Sequence, residues 1–206
     1  MKIFPRTKPL LKLFFSGVAL LFSLGVNPVY SQKDSVYDRG KQLEHNGNLY
    51  KVYNNWISGG AGYGFSYSPD RDIFHLGLDY NFHIKWHYFR TGFFLSGRRF
   101  GDYDNTNFHA CYVLRKETIK YNFSGFAGPS HSSGFRWTSG KPDYKNVYRE
   151  VGLLGGVQAV WKLKYDVGLG LSLIGDWNKY QSMVLLRADL YLSGAYAGKK
   201  SDRNIR

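Results

Sequence analysis

Cysteine is almost absent from this chain: Cys111 is the only one among 206 residues. A single thiol excludes an internal disulfide framework and any Cys-rich metal site. Acids are scarce too, with 15 Asp and Glu against 28 Lys and Arg, for a formal charge of +13. Long apolar runs are missing except at Leu13 to Val26, about 14 residues. That is short of the roughly 20 a spanning helix needs. No later stretch is apolar enough for such a helix, and no helical period of three and four persists. Aromatic side chains, by contrast, make up 18% of the chain, and there are 24 glycines.

Lys2, Arg6, Lys8 and Lys12 precede the apolar run, and Val29-Tyr30-Ser31 follows it with small residues placed for cleavage before Gln32. This pattern predicts a signal peptide over residues 1–31. An N-terminal anchor helix is the alternative. No Cys follows the run, so lipoprotein processing is not supported. Loss of residues 1–31 removes four cations and no acids, taking the formal charge from +13 to +9. For an exported protein, anionic lipid headgroups are the expected counterpart of that charge, and nucleic acid is not.

Residues 32–55 are polar and mixed in charge, and read as a periplasmic leader. From Trp56 onward the pattern is period-two alternation in segments of about ten residues, the length of a membrane-spanning strand. In segment 73–82, Phe74, Leu76, Leu78, Tyr80 and Phe82 share one face, against Ile73, His75, Gly77, Asp79 and Asn81. Segments 118–127, 150–161, 165–175 and 182–193 alternate as clearly; 57–67, 86–96 and 107–115 do so more weakly. Short connections follow the second, fourth and sixth segments, near Ile84-Lys85, Lys116-Glu117 and Leu163-Lys164. Longer ones are expected at 68–72, 97–106, 128–149 and 175–181. The expectation is an all-β chain: an eight-stranded antiparallel transmembrane β-barrel over 56–197 after a cleaved signal peptide, then a basic tail over 198–206.

A soluble barrel would alternate as well, with its apolar face inward. The second face here is largely Gly, Ser and Asn with a few charges, which suits a narrow lumen better than a solvated exterior. Aromatics gather at the segment ends. Trp56, Tyr80, Phe82, Trp86, Tyr112, Tyr121, Trp161 and Tyr165 lie near the short turns; Tyr67, Phe74, Tyr148, Trp177 and Tyr180 lie at the other end. Two aromatic girdles account for this placement. With its signal, eight amphipathic segments and aromatic ends, the chain resembles the small OmpA-like and OmpX-like outer-membrane barrels. Val52-Tyr53-Asn54-Asn55-Trp56, Asn81-Phe82-His83-Ile84-Lys85 and Phe94-Leu95-Ser96-Gly97 are similar to segments of barrels of Bacteroidetes type. The resemblance spans about 52–197 and implies location in a Gram-negative-type outer membrane. It departs at the end: such barrels finish on an aromatic, whereas this chain runs past Tyr196 into Lys199-Lys200-Ser201-Asp202-Arg203, so Tyr196 is expected to serve instead.

Candidate chemistry is sparse. Gly59-Gly60-Ala61-Gly62-Tyr63-Gly64 lacks the Lys-Ser/Thr and the helix of a phosphate loop, and strand glycines that permit close packing explain it. His83 and His87 stand four apart, a ligand spacing on helices but not strands, and no metal or other cofactor is expected. His131-Ser132-Ser133 offers an imidazole beside hydroxyls, the basis of an alternative reading as a lipid-A-modifying hydrolase.

The lumen face carries Asp79, Glu150, Asp166 and Asp189 with Arg90, Arg115, Lys120, Lys162 and Arg187, joined by His75, His109, Asn122 and Gln158. Buried charges must pair. An ion-pair network centred on Asp79, Arg90, Glu150, Arg187 and Asp189 is therefore expected to plug the barrel, and a narrow ion pore is the other alternative. A turn centred between Ile84 and Lys85 would set Asp79 opposite Arg90. Segment 128–149 reads as one long extracellular loop with binding candidates Phe135, Arg136, Trp137, Tyr144 and Tyr148, since aromatics and Arg are favoured at hot spots. The expected function is a non-enzymatic structural or binding role. Its partners would be outer-membrane lipids and lipopolysaccharide, with an extracellular or periplasmic protein also considered.

Overall fold

The computed structural model describes residues 42–199 apart from 46, 52, 53, 69, 119, 139 and 140; the expected signal peptide and most of the basic tail lie outside the described residues. Among the described residues eleven strands follow one another: β1 (Gln42–His45), β2 (Asn48–Lys51), β3 (Trp56–Ser68), β4 (Asp70–Ile84), β5 (His87–Arg99), β6 (Asp102–Glu117), β7 (Tyr121–Thr138), β8 (Lys141–Lys164), β9 (Val167–Trp177), β10 (Ser182–Ser193) and β11 (Tyr196–Lys199). Strands β3 to β10 form a closed barrel in chain order, sealed by β10 pairing antiparallel with β3.

The alternation read from the sequence sets which side chains face out. On β9, Leu169, Leu171 and Leu173 are exposed, while Gly168, Gly170 and Ser172 are buried. On β10, Leu186 is 55% exposed and Arg187 is 0% exposed. The charged residue is thus inside and the aliphatic one outside, the reverse of a water-soluble barrel. The shortest wall strand, β9, has 11 residues. At about 3.3 Å per residue and a tilt near 40°, it rises roughly 28 Å, close to an apolar band of about 25 Å.

The interior is not lined by small and charged groups alone. Trp56, Ile73, Tyr88, Phe94, Phe126, Leu154, Val160, Ile174, Met183, Leu185 and Tyr191 are buried inside it. Glycines on facing strands leave the space for them. On β3, Gly60, Gly62 and Gly64 face β10 so closely that a Cβ at Gly60 would lie 1.7 Å from the carbonyl oxygen of Ala188. The glycine run is therefore strand, packed tight at the closure seam.

Three expectations are corrected. First, β4 and β5 pair with Ile84 opposite His87, and the turn is Lys85-Trp86 with Lys85 at φ +57°. This puts Asn81, not Asp79, opposite Arg90, and Asp79 opposite Gly92. The slip is two residues, so every side chain keeps its face. Second, the connections expected to be long are mostly tight. Only Phe100-Gly101 separates β5 from β6, and 128–149 is a β-hairpin in which Thr138 pairs with Lys141. In these outer parts of the strands the hydrophobic alternation fades while the pairing continues. Third, the leader contains the hairpin β1–β2, and β2 pairs with β11 in a separate three-stranded sheet. Tyr50, Tyr165 and Ala195 form its small core, with the Tyr50 and Tyr165 rings 4.6 Å apart. Burial pushes the Tyr165 phenol upward in pKa.

Candidate functional site

The lumen carries three layers of buried polar groups. The central layer is built on Asp79 of β4. It contacts the Arg187 guanidinium of β10, accepts from or faces His109 Nε2 at 2.9 Å, and lies 3.9 Å from Arg90 Nη1. Arg187 Nε is also 2.6 Å from Asp189 Oδ1, and Asp189 meets Gln158 Nε2 at 2.9 Å and the Ser172 hydroxyl. Arg90 itself donates to two neutral amides, Asn81 Oδ1 at 2.8 Å and Gln158 Oε1 at 2.9 Å, with its guanidinium 3.9 Å over the Phe126 ring. Two carboxylates and two guanidiniums thus form a neutral, cross-braced plug in which each charge has partners.

Of the residues expected in this network, Asp79, Arg90, Arg187 and Asp189 come together. Glu150 does not: it sits half-buried opposite Ser132, in the part of β8 beyond its last pairing with β9 at Leu153. Lys120 is exposed on a turn, and Asp166 lies in the β8–β9 turn, so neither is a lumen residue. Both fell at segment ends, where parity no longer reports the facing. His75 lies inside beside Phe94, ring centroids 4.6 Å apart, but neither of its nitrogens has a hydrogen-bond partner among the described residues.

At the short-turn mouth, Arg115 meets Glu117 Oε2 at 2.6 Å and stacks 4.1 Å over Trp56. Lys162 contacts Glu117 and lies 3.9 Å over the Tyr165 ring. Trp56 and Tyr165 were expected in an outer aromatic girdle; both are buried instead, covering buried cations. Trp86, Tyr121 and Trp161 are exposed at that end, as a girdle requires.

At the opposite mouth, Asp176 accepts from Ser130 Oγ at 2.6 Å, Asn107 Nδ2 at 3.0 Å and Ser132 Oγ at 3.3 Å. Sequence reasoning missed this layer because Asp176 fell in a segment read as a connection. Ser132 faces the lumen and His131 is exposed on the other side of β7. Adjacent strand residues point apart, so no His131–Ser132 couple forms. His83 Nδ1 pairs with Asn55 Oδ1 at 2.8 Å and His87 Nδ1 with the Tyr112 hydroxyl at 2.9 Å. Among the described residues no cluster of His, Cys, Asp and Glu could hold a metal ion.

The β7–β8 hairpin stands clear of the wall. Pairing of β8 with β9 stops at Leu153–Trp177, and pairing of β7 with β6 stops at Gly134–Asn105. Residues 135–138 and 141–147 therefore form a two-stranded ribbon beyond the ring. Arg136 is exposed and donates to the Tyr180 hydroxyl at 2.9 Å. Phe135 is half-buried. Tyr148 points inward, donating to Asn105 Oδ1 at 3.0 Å, so it belongs to the plug and not to an outer surface. The side chains of Trp137 and Tyr144 lie outside the described residues.

No family model and no curated protein matches the chain. Solved structures do. The N-terminal β-barrel domain of Pseudomonas aeruginosa OprF superposes with a TM-score of 0.50 at 9% identity, covering 68% of this chain and 98% of that one. Neisserial surface protein A (NspA) gives 0.46 at 12% identity over 67% and 96%, and a de novo designed transmembrane β-barrel gives 0.44 at 10% over 69% and 97%. The OprF likeness shows the fold alone: this chain shares the closed eight-stranded barrel of that domain.

Proposed function

We propose that this chain is exported and resident in the outer membrane, with no enzymatic activity, a filled lumen, and a structural or binding role carried by the β7–β8 hairpin. The carrying observation is the inverted wall. Leu76, Leu78, Phe108, Tyr112, Leu171, Leu186 and Leu190 are exposed outside while Asp79, Arg90, Arg187 and Asp189 are buried within. Such a wall is stable only where hydrocarbon replaces water, and a closed barrel satisfies its backbone there without an open edge. The layered plug supports a scaffold rather than a pore. A ribbon carrying Phe135 and Arg136 beyond a rigid barrel suits recognition at the cell surface. Kinship with barrels of Bacteroidetes type is part of this reading and rests on the segments quoted above.

Trypsin applied to intact cells tests it. Cleavage at Lys141 or Lys145, with the rest of the barrel protected until the membrane is dissolved, is the expected result. Protection of those sites, or recovery of the protein in the soluble fraction, contradicts the reading.

A further inference from the structure

The three short turns carry a repeated triplet: aliphatic, Lys, aromatic. They read Ile84-Lys85-Trp86, Ile119-Lys120-Tyr121 and Leu163-Lys164-Tyr165. All three turns lie at one mouth, because each follows an even-numbered strand of an up-and-down barrel. Lys85, Lys120 and Lys164 are exposed, and Lys116 beside them is exposed as well. Over these turns and their strand ends the acids are Glu117 and Asp166, and Glu117 is already engaged by Arg115 and Lys162. The opposite mouth is mixed in sign, with Asp70, Asp72, Asp102 and Asp104 near Arg71, Arg98 and Arg99.

The apolar neighbours of these lysines choose the ligand. Ile84, Trp86, Tyr121, Trp161 and Leu163 are exposed around them, at the limit of the apolar band. Lysines there reach from the hydrocarbon edge into the headgroup plane, and aromatic rings belong at the same depth. Lys85, at φ +57°, is one of the two residues that join β4 to β5. We infer that this mouth is a binding rim for anionic phospholipid headgroups, with Lys85, Lys120 and Lys164 each meeting a phosphodiester of the adjoining leaflet. The inference rests on the membrane reading above and goes further by naming the lipid class and the residues.

Brominated lipids test it through tryptophan quenching, since Trp86 and Trp161 lie at this rim. The full mature chain is first inserted into vesicles of phosphatidylcholine alone. Failure to insert overturns the membrane reading and this inference together. Relative binding of dibrominated phosphatidylglycerol and phosphatidylcholine is then read from mixed vesicles. The wild type is expected to favour phosphatidylglycerol about fivefold or more. The triple variant K85Q/K120Q/K164Q is expected to lose that preference while remaining inserted, and the triple Arg variant to keep it. Insertion with no preference, or a preference unchanged by the Gln triple, overturns the headgroup assignment alone. Added inorganic phosphate at constant ionic strength should leave the preference intact. Displacement by it would assign the lysines to free phosphate, and lysine-dependent binding of polyglutamate without a lipid preference would assign them to an acidic protein; either result overturns the proposal.

Discussion

Arg187 and Asp79 show how a charge is kept inside this barrel. Both are essentially unexposed, and each contacts the other directly. Removing one leaves the other buried without its main partner, at a cost of about 3–5 kcal/mol. Asp79→Ala and Arg187→Ala should each lower stability by that amount in a urea titration of the folded fraction on gels. The double variant should lose less than the sum; additive losses would mean that the pair is not coupled. The two lumen histidines should separate in the same assay. His109 meets Asp79, so His109→Leu should cost about 1.5–3 kcal/mol, whereas the nitrogens of His75 have no hydrogen-bond partner among the described residues and His75→Leu should be neutral or stabilising. Equal losses would contradict the assignment.

At the scale of elements, closure depends on backbone contact at the β3–β10 seam. A methyl at Gly60 would collide with the Ala188 carbonyl, and a main-chain obstacle cannot swing aside as a side chain does. Gly60→Ala should therefore cost at least about 1–3 kcal/mol and reduce the heat-modifiable fraction on gels. The hairpin is expected to behave in the opposite way. Joining Phe135 to Val147, which are paired, through an Asn-Gly turn removes the ribbon tip. Barrel stability should stay within about 1 kcal/mol; a large loss would show that the tip braces the wall. Much of this architecture was legible in the sequence, since the parity of Leu169, Leu171 and Leu173 against Gly168, Gly170 and Ser172 fixes inside and outside. Register was not. Shifting β4 against β5 by two residues preserves every face, and only the Lys85-Trp86 turn distinguishes the two pairings. The apolar part of the interior was missed for a similar reason. Val160 and Leu185 sit between outward apolar residues, and Leu154 and Met183 sit beside one, so they blur the alternation they obey. Of the candidate site, four central charges could be found by parity, while Lys120 and Asp166 stood where strands end and parity loses its meaning; Glu150 keeps the inward parity of β8 but lies beyond the last pairing of that strand with β9, at Leu153–Trp177, away from the central layer.

Taken as a whole, the barrel is a hydrophobic wall around a neutral, hydrogen-bonded plug. Its closed ladder should make it heat-modifiable on gels and resistant to unfolding in detergent, and its lumen layers should keep planar bilayers free of channel steps. The most direct test of the central claim is the environment of the outer wall. Single spin labels at Leu169, Leu171 and Leu173, in a Cys111→Ser background and reconstituted in bilayers, report collisions with oxygen and with a water-soluble nickel chelate. The account expects high oxygen and low chelate accessibility at all three, with the reverse for a label at Lys179 in the β9–β10 connection. Strong chelate accessibility at Leu169, Leu171 and Leu173 would place that face in water and contradict the membrane-spanning barrel.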